Sequence, residues 1–174
     1  MNLRKIVIAT DSFKESMSAK EASLAIQDGF KKIFHEDIHY DIIPMADGGE
    51  GTTDALKEAH NAKTYTIPVH DPLHRNIEAS YARSQDNQVA IIEMAASSGL
   101  DLLTDEERNP LITSTYGVGE IILDALDHHV TKIILGIGGS ATNDGGSGML
   151  CALGAQFLDS KNQPLKLGGG YLSE

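Results

Sequence analysis

Residues 132–150 read KIILGIGGSATNDGGSGML, and this stretch decides the fold. The run KIIL is mostly apolar and rich in isoleucine, which is typical of a strand buried on both faces of a parallel sheet. A loop rich in glycine, serine and threonine follows, and the apolar run from about Ser147 predicts a short helix. A strand that leads through such a loop into a helix is the repeating unit of α/β folds. The stretch therefore predicts an α/β protein.

The same strand, loop and helix pattern occurs twice near the amino terminus. The apolar run KIVIA precedes the loop TDSFKES (10–16), and YDIIP precedes the loop ADGGEGT (46–52). Between them, Ser18 and Glu21 have the spacing of a capping box. Apolar residues then recur at helical spacing, namely Ala22, Ile26, Phe30 and Ile33. These units predict strands and helices that alternate around a parallel sheet.

The pattern changes between about residues 62 and 115, where KTYTIPV and IEASYAR alternate as antiparallel strands do. We therefore predict a Rossmann-like or flavodoxin-like parallel core from residues 1–62 and 116–160, with a second, mixed α/β lobe at 63–115. Residues 161–174 read as a glycine-rich connection without a closing element. Few parallel strands are present for a complete open sheet, so we expect a truncated chain with a missing second half.

The composition limits the partners and the compartment. The formal net charge is -11, which argues against nucleic acid or an anionic membrane as a partner and leaves a homo-oligomer open. No apolar run is long enough for a signal-peptide core or a membrane span. The single cysteine, Cys151, lies in an apolar run and favours a reduced cytoplasmic location. An anionic ligand must therefore be bound by backbone amides, a few lysines or a divalent cation.

The loop after KIIL is the strongest candidate for phosphate binding. Six glycines lie between Gly136 and Gly148, and glycine lets backbone N–H groups approach an anion closely. A tight turn against the sheet is the alternative, and it would suffice for an isolated glycine pair. We predict that the nucleotide-binding residues are Gly138, Gly139, Ser140, Ala141, Thr142 and Asn143.

Several carboxylates share these loops and suggest a metal. Mutual repulsion among them would be unfavourable unless a cation such as Mg²⁺, bridging nucleotide phosphates, neutralised them. One carboxylate could instead accept the proton of an attacking hydroxyl. Helix capping and loop bracing are the alternative for each carboxylate. The carboxylates concerned are Asp11, Asp47, Glu50 and Asp144, and Lys14 is a candidate point charge on a phosphoryl oxygen or substrate carboxylate.

Other features support competing or weaker interpretations. Gly136, Gly138 and Ala141 satisfy the G-x-G-x-x-A pattern of an NAD-binding oxidoreductase, with Asp159 downstream. That pattern does not explain the loops at 10–16 and 46–52. Pro72 within HDPLH makes a helical two-histidine metal site at His70 and His74 unfavourable. No Gly-Lys-Ser/Thr sequence is present, which excludes a P-loop.

Five stretches, in order along the whole chain, resemble the type I glycerate kinase family. They are ATDSFKESMSA, PMADGGEGT, EMAASSGL, RNPLITSTYGVGE and GIGGSATNDGGSGML. Thr10 stands where the family usually has proline, and Glu15 replaces a common glycine. A typical member is about twice as long, so the resemblance identifies this chain as an amino-terminal half.

The resemblance implies a two-domain α/β kinase that uses ATP and Mg²⁺ to convert D-glycerate to a phosphoglycerate, usually the 2-phosphate. A catalytically incomplete fragment stays open, because a site built between two domains can lose its substrate half. With this resemblance we predict Asp47 and Asp144 as catalytic and metal-binding residues and Lys14 as a catalytic residue that neutralises charge. The residues that we expect at the substrate are Asp11, Ser12, Gly48, Gly49, Glu50 and Thr115.

Overall fold

The chain was analysed as a computed structural model, which describes residues 5–13, 16–34, 38–49, 51–57 and 59–173. The strands within these residues are β1 (Lys5–Ile8), β2 (His39–Ile42), β3 (Ala62–His70), β4 (Asn76–Ser84), β5 (Val89–Glu93) and β6 (Lys132–Gly136). The helices are α1 (Ala19–Lys31), α2 (Thr52–Lys57), α3 (Ala95–Ser98), α4 (Tyr116–Asp127) and α5 (Ser147–Ala152). None of these helices is long and apolar enough to cross a membrane.

The strands form two sheets. β1 and β2 pair in parallel as a two-stranded sheet, with α1 as the connection between them. The second sheet has the order β3-β4-β5-β6, in which the first two pairings are antiparallel and β5 pairs with β6 in parallel. The predicted fold class, α/β with a parallel unit and a mixed α/β lobe, is confirmed.

The position of β6 differs from our expectation. We predicted β6 in the parallel core with β1 and β2, but all five of its residues pair with β5 of the mixed sheet. The reason is local, because β5, α4 and β6 form a strand, helix and parallel strand unit, in which α4 is the crossover. The pairing shows that β5 and β6 belong to one packing unit. The domain boundaries at residues 62 and 116 stay a prediction.

The main core lies between the mixed sheet and α4. Strand residues Tyr81 and Ile92 are fully buried against Val118 and Ile121 of the helix. Gly119 permits a close approach of α4 to α5, because an added Cβ would collide with the carbonyl oxygen of Met149. Packing in this core therefore positions α4 and α5, and both helices begin beside the loops of the candidate active site.

The capping box at the start of α1 is confirmed. The Glu21 amide donates to the Ser18 hydroxyl at 3.2 Å, and the Ser18 amide donates to the Glu21 carboxylate at 2.8 Å. Hydrogen bonding to Ser18 also holds the pKa of Glu21 below its usual value. This cap fixes where the loop after β1 ends and where α1 begins.

We predict that Ile92→Ala destabilises the mixed sheet. Ile92 is 0% exposed in the core cluster, so truncation should lower the free energy of unfolding by about 2–5 kcal/mol. Urea denaturation of the purified chain measures this change. Ile137→Ala is the control, because Ile137 is 69% exposed and its truncation should change stability by about 0.5 kcal/mol or less. Equal losses in the two variants would contradict the placement of the core.

Candidate active site

The candidate site is formed by loops that leave the carboxyl ends of β1, β2 and β6. We call them the first loop (residues 9–18), the second loop (43–51) and the third loop (137–146). Carboxyl ends of parallel strands are where open α/β sheets bind ligands. Lys14 of the first loop and Glu50 of the second, both predicted site residues, lie outside the described residues.

The second and third loops are joined by their backbones. The Gly138 amide donates to the Gly48 carbonyl oxygen at 2.8 Å. A Cβ at Gly138 would lie 2.7 Å from the Cα of Gly49, and one at Gly136 would lie 2.5 Å from the Gly48 oxygen. No side chain fits there without moving the loops apart. Gly136 and Gly138 are therefore needed for loop packing, which is the structural alternative that the sequence left open.

The predicted phosphate-binding residues divide into two groups. The Ala141 amide donates to the Ser98 carbonyl oxygen at 2.8 Å, and the Thr142 amide donates to the Ser140 hydroxyl at 3.0 Å. Together with that of Gly138, these amides are already used within the protein. The amides of Gly139, Ser140 and Asn143 have no acceptor among the described residues. Three of the six predicted residues therefore keep a backbone N–H group that is free to donate to a ligand.

Asp144 lies inside the protein. Its side chain is 1% exposed, and its carboxylate accepts hydrogen bonds from the Thr115 amide (2.9 Å), the Thr115 hydroxyl (2.9 Å), the Gly146 amide (3.0 Å) and the Gly148 amide (3.1 Å). These donors belong to the starts of α4 and α5, so the carboxylate ties the two helices together. The catalytic and metal-binding role of Asp144 stays a prediction, and its contacts favour the capping role.

Thr115 belongs to the same buried unit. It is 2% exposed, and its hydroxyl oxygen accepts a hydrogen bond from the Met149 amide at 2.9 Å. Thr115 therefore caps the start of α5 across the loop, whereas the Tyr116 amide of α4 donates to the Ser114 hydroxyl at 3.2 Å. The predicted contact of Thr115 with substrate has no support from this arrangement.

Asp47 is exposed, unlike Asp144. Its Oδ1 accepts a hydrogen bond from the Gly49 amide at 2.9 Å, which braces the second loop. Gly48, predicted at the substrate, has φ of +92° and is half-buried, and Gly49 is buried.

Within the described residues, no three acidic, histidine or cysteine side chains are grouped closely enough to hold a metal. Any Mg²⁺ here would need phosphate oxygens or water to complete its coordination.

The first loop is joined to the second and borders a cavity of about 770 Å³. The Met45 amide donates to the Thr10 carbonyl oxygen at 2.8 Å. The Thr10 hydroxyl donates to the Ala19 carbonyl oxygen at 2.9 Å, so the residue that departs from the family pattern anchors this loop to α1. Asp11 is exposed and accepts from the Ser12 amide at 2.7 Å, and Ser12 lines the cavity.

Glu93 and Thr113 are positioning residues that we did not predict individually. The Glu93 carboxylate at the end of β5 accepts from the Thr53 amide at 2.6 Å and holds the start of α2 beside the sheet. The Thr113 hydroxyl donates to the Ala141 carbonyl oxygen at 2.9 Å. A glutamate directly after a buried strand, and the hydroxyl run TST, are the sequence signals that could have identified them.

The histidines of HDPLH form an aromatic cluster. The His70 and His74 rings stack 4.1 Å apart, and Tyr116 contacts both of them edge-on. His70 Nδ1 lies 2.8 Å from Glu120 Oε1. Burial and the neighbouring His70 lower the pKa of His74. The two rings face one another and Tyr116, so the histidine pair packs against the start of α4.

Asp159 does not support the alternative of an NAD site. Its Oδ1 accepts hydrogen bonds from the Lys161 amide (2.7 Å) and the Gln163 amide (2.8 Å). These contacts brace a turn, and Gly136 and Gly138 are already explained by loop packing. The residues that made up the G-x-G-x-x-A interpretation therefore have structural roles.

We predict that Gly138→Ala separates the second and third loops. The new methyl group would collide with the Gly49 backbone, so the free energy of unfolding should fall by about 1–3 kcal/mol. Gly29→Ala is the matched control, because nothing lies within 4 Å of an added Cβ at this helical glycine. That variant should gain about 0.5–1 kcal/mol. Urea denaturation compares the two, and a Gly138→Ala chain as stable as wild type would contradict the close loop contact.

We also predict that Asp144→Asn destabilises the chain by about 1–3 kcal/mol, because the amide nitrogen of asparagine would face buried N–H donors. Asp159→Asn tests the same change in a more exposed turn and should lower the free energy of unfolding by a smaller amount. Thermal and urea unfolding both report the difference. An Asp144→Asn loss no larger than that of Asp159→Asn would show that the four donors do not depend on the carboxylate.

Comparison with known proteins identifies the family to which this chain is related. The model of the glycerate kinase family matches residues 6–174. Glycerate kinases of Halalkalibacterium halodurans and Haemophilus influenzae are 51% and 53% identical over 99% and 97% of this chain. These matches cover only 45% and 44% of the two relatives, so the chain spans less than half their length.

A solved structure gives the same result. A structure described as that of glycerate kinase 2 from Salmonella typhimurium LT2 superposes with a TM-score of 0.84 and 48% identity. The superposition covers 98% of this chain and 46% of that one. Since the family model matches nearly all of this chain, the chain belongs to the glycerate kinase family.

Proposed function

We propose that this chain carries the phosphate-binding loops of an enzyme that transfers the γ-phosphoryl group of ATP to D-glycerate. The observation that supports this most is the Gly138–Gly48 contact, which brings the second and third loops together in a member of the glycerate kinase family. A relative from Escherichia coli, 50% identical, is named glycerate 2-kinase. Its name favours the C2 hydroxyl as acceptor and 2-phosphoglycerate as product.

The ATP phosphates are proposed to bind the free amides of the third loop, those of Gly139, Ser140 and Asn143. Backbone amides supply partial positive charge, which suits a chain whose formal net charge is -11. Three residues hold the loop in place because their own amides bond within the protein, namely Gly138, Ala141 and Thr142. Lys14 is proposed to add a positive charge beside the same phosphates.

We propose that the Asp47 carboxylate takes part directly in phosphoryl transfer, either as a ligand of Mg²⁺ or as a proton acceptor. It is exposed at the joined loops, and an exposed carboxylate suits Mg²⁺, which binds proteins through one or two carboxylates and takes its other ligands from phosphate and water. Bound Mg²⁺ would neutralise charge that develops on the transferred phosphoryl group. The alternative role for Asp47 is to accept the hydroxyl proton of glycerate. Asp144 is proposed to act indirectly, by holding the starts of α4 and α5.

Glycerate is proposed to contact the first and second loops, through Asp11, Ser12, Gly48, Gly49 and Glu50. Ser12 lines the cavity beside the first loop, which leaves room for a small polar molecule. A cytoplasmic location, proposed from the single cysteine and the use of ATP, fits this chemistry.

A catalytically incomplete chain is the second candidate. The curated relatives that match are more than twice as long as the matched region. An assay of ATP-dependent glycerate phosphorylation on the chain alone, beside a chimera in which it replaces the matched region of the Halalkalibacterium halodurans enzyme, separates the two. Turnover by the chimera only supports incompleteness of the isolated chain, and turnover by neither contradicts the proposed reaction.

Asp47→Asn should lower kcat of the chimera by about 100-fold or more, the usual effect of losing a general base or a metal ligand. Partial recovery at high Mg²⁺ would assign Asp47 to the metal. Loss of the acidic limb of the pH–rate profile would assign it to proton transfer. Asp127→Asn, an exposed change at the far end of α4, is the control and should leave kcat unchanged. Equal kcat in the two variants would remove Asp47 from the chemistry.

A further inference from the structure

Residues 168–172 form a turn that packs against the protein, and we call it the glycine turn. Its centre is a short 3₁₀ helix, Gly169–Tyr171. The Gly170 amide donates to the Leu111 carbonyl oxygen at 2.9 Å. Gly168 is buried and has φ of +112°, in the left-handed region that favours glycine. This part of the glycine-rich tail is therefore held in a defined position.

The glycine turn contacts the end of the third loop at two points. A Cβ at Gly169 would collide with the Asn143 carbonyl oxygen, so the two backbones can touch only because Gly169 has no side chain. The Leu172 side chain lies against Gly145, where an added Cβ would be 3.7 Å from Leu172 Cδ1. Asn143 is thereby packed against the turn through its backbone.

Residues 109–113 join the glycine turn to the third loop a second time. A Cβ at Gly168 would lie 2.7 Å from the Leu111 carbonyl oxygen, so the turn lies directly against this segment. The Thr113 hydroxyl of the same segment donates to the Ala141 carbonyl oxygen at 2.9 Å. The third loop is therefore braced two residues before its contact with the turn.

These contacts leave the Asn143 backbone little freedom. The next residue, Asp144, is buried and accepts four hydrogen bonds, so it cannot follow a displaced Asn143 carbonyl without losing them. A group added at Gly169 would therefore move the Asn143 backbone itself, including its amide. That amide has no acceptor among the described residues and is one of the three N–H groups that the third loop keeps free.

We propose that Gly169 is a positioning residue for nucleotide binding, because its contact with the Asn143 backbone sets the direction of the Asn143 N–H group. The inference rests on the proposed binding of ATP phosphates by the third loop. A shift of roughly 1 Å takes a donor out of hydrogen-bond range of its acceptor. Gly169 lies outside the three loops of the site, so its effect on the nucleotide is indirect.

A purely structural glycine would behave differently. Replacing it would lower the stability of the protein and leave the MgATP affinity of the folded protein unchanged. Gly154 supplies this comparison, because it has φ of +98° and nothing lies within 4 Å of an added Cβ. Gly154→Ala therefore strains the backbone just after α5 and adds no contact with the third loop.

The test titrates MgATP calorimetrically into this chain and into the chimera, at a temperature where each variant is folded. We expect Gly169→Ala to raise the Kd of MgATP about tenfold, the effect of losing one hydrogen bond to a charged group. Gly154→Ala should change this Kd by about twofold or less. In the chimera, Gly169→Ala should raise KM for ATP in parallel and leave KM for D-glycerate within about twofold of its original value.

Leu172→Ala takes the place of Gly169→Ala if that variant does not fold. It removes the contact with Gly145 without a collision, and Leu172 is 45% exposed, so the fold should survive. The loosened turn should raise the Kd of MgATP about threefold and shift the Asn143 amide signal in a proton–nitrogen NMR spectrum. An unchanged Kd and an unchanged Asn143 signal would overturn the inference.

The titration of the original sequence tests the proposed function, and the comparison of the variants tests this inference. Equal MgATP affinity with glycine or alanine at 169 would overturn the inference and leave the proposed function standing. Equal losses in Gly169→Ala and Gly154→Ala would have the same meaning. If neither the chain nor the chimera binds MgATP, the proposed function and this inference are both overturned.

Discussion

The backbone contact between Gly138 and Gly48 holds the rest of the site in place. It is a short hydrogen bond of 2.8 Å between loops that leave two different sheets, and glycine at 136 and 138 lets those loops approach. The two-stranded unit is thereby held against the mixed sheet at one edge, where β2 and β6 both end. Glu93 strengthens the same junction by holding the start of α2. The glycine-rich segment that packs the loops together is therefore also the one proposed to bind phosphate.

The two carboxylates that the sequence pairs have opposite environments. Asp144 is buried and saturated by four donors, so it fixes the geometry of α4, α5 and the end of the third loop. Asp47 is exposed and engaged by the Gly49 amide, so it can meet a ligand. Rigid support therefore lies behind the loop, and Asp47, the carboxylate proposed for the chemistry, is exposed in front of it. An enzyme loses less of its rate to misplaced reacting groups when those groups are held on a rigid scaffold.

Local patterns in the sequence predicted many of the strands, helices and helix caps. The Ser18–Glu21 capping box, the strand KIIL and the helices after each loop follow from signals within a few residues. The partner of β6 was not predicted, because apolar runs identify buried strands without specifying their neighbours; the α4 crossover places β6 beside β5. The burial of Asp144 was equally inaccessible, since its donor Thr115 is 29 residues away. Contacts between distant segments determine which glycine or aspartate is structural.

Family membership and the braced loops together support one proposal, that this chain supplies the phosphate-binding half of a phosphoryl-transfer enzyme. Phosphorus NMR of the chimera with MgATP and D-glycerate tests it most directly. We expect ADP and one new phosphomonoester signal, that of 2-phosphoglycerate, to appear at equal rates. ATP left unchanged, or ADP with inorganic phosphate as the only products, in a folded chimera would contradict it.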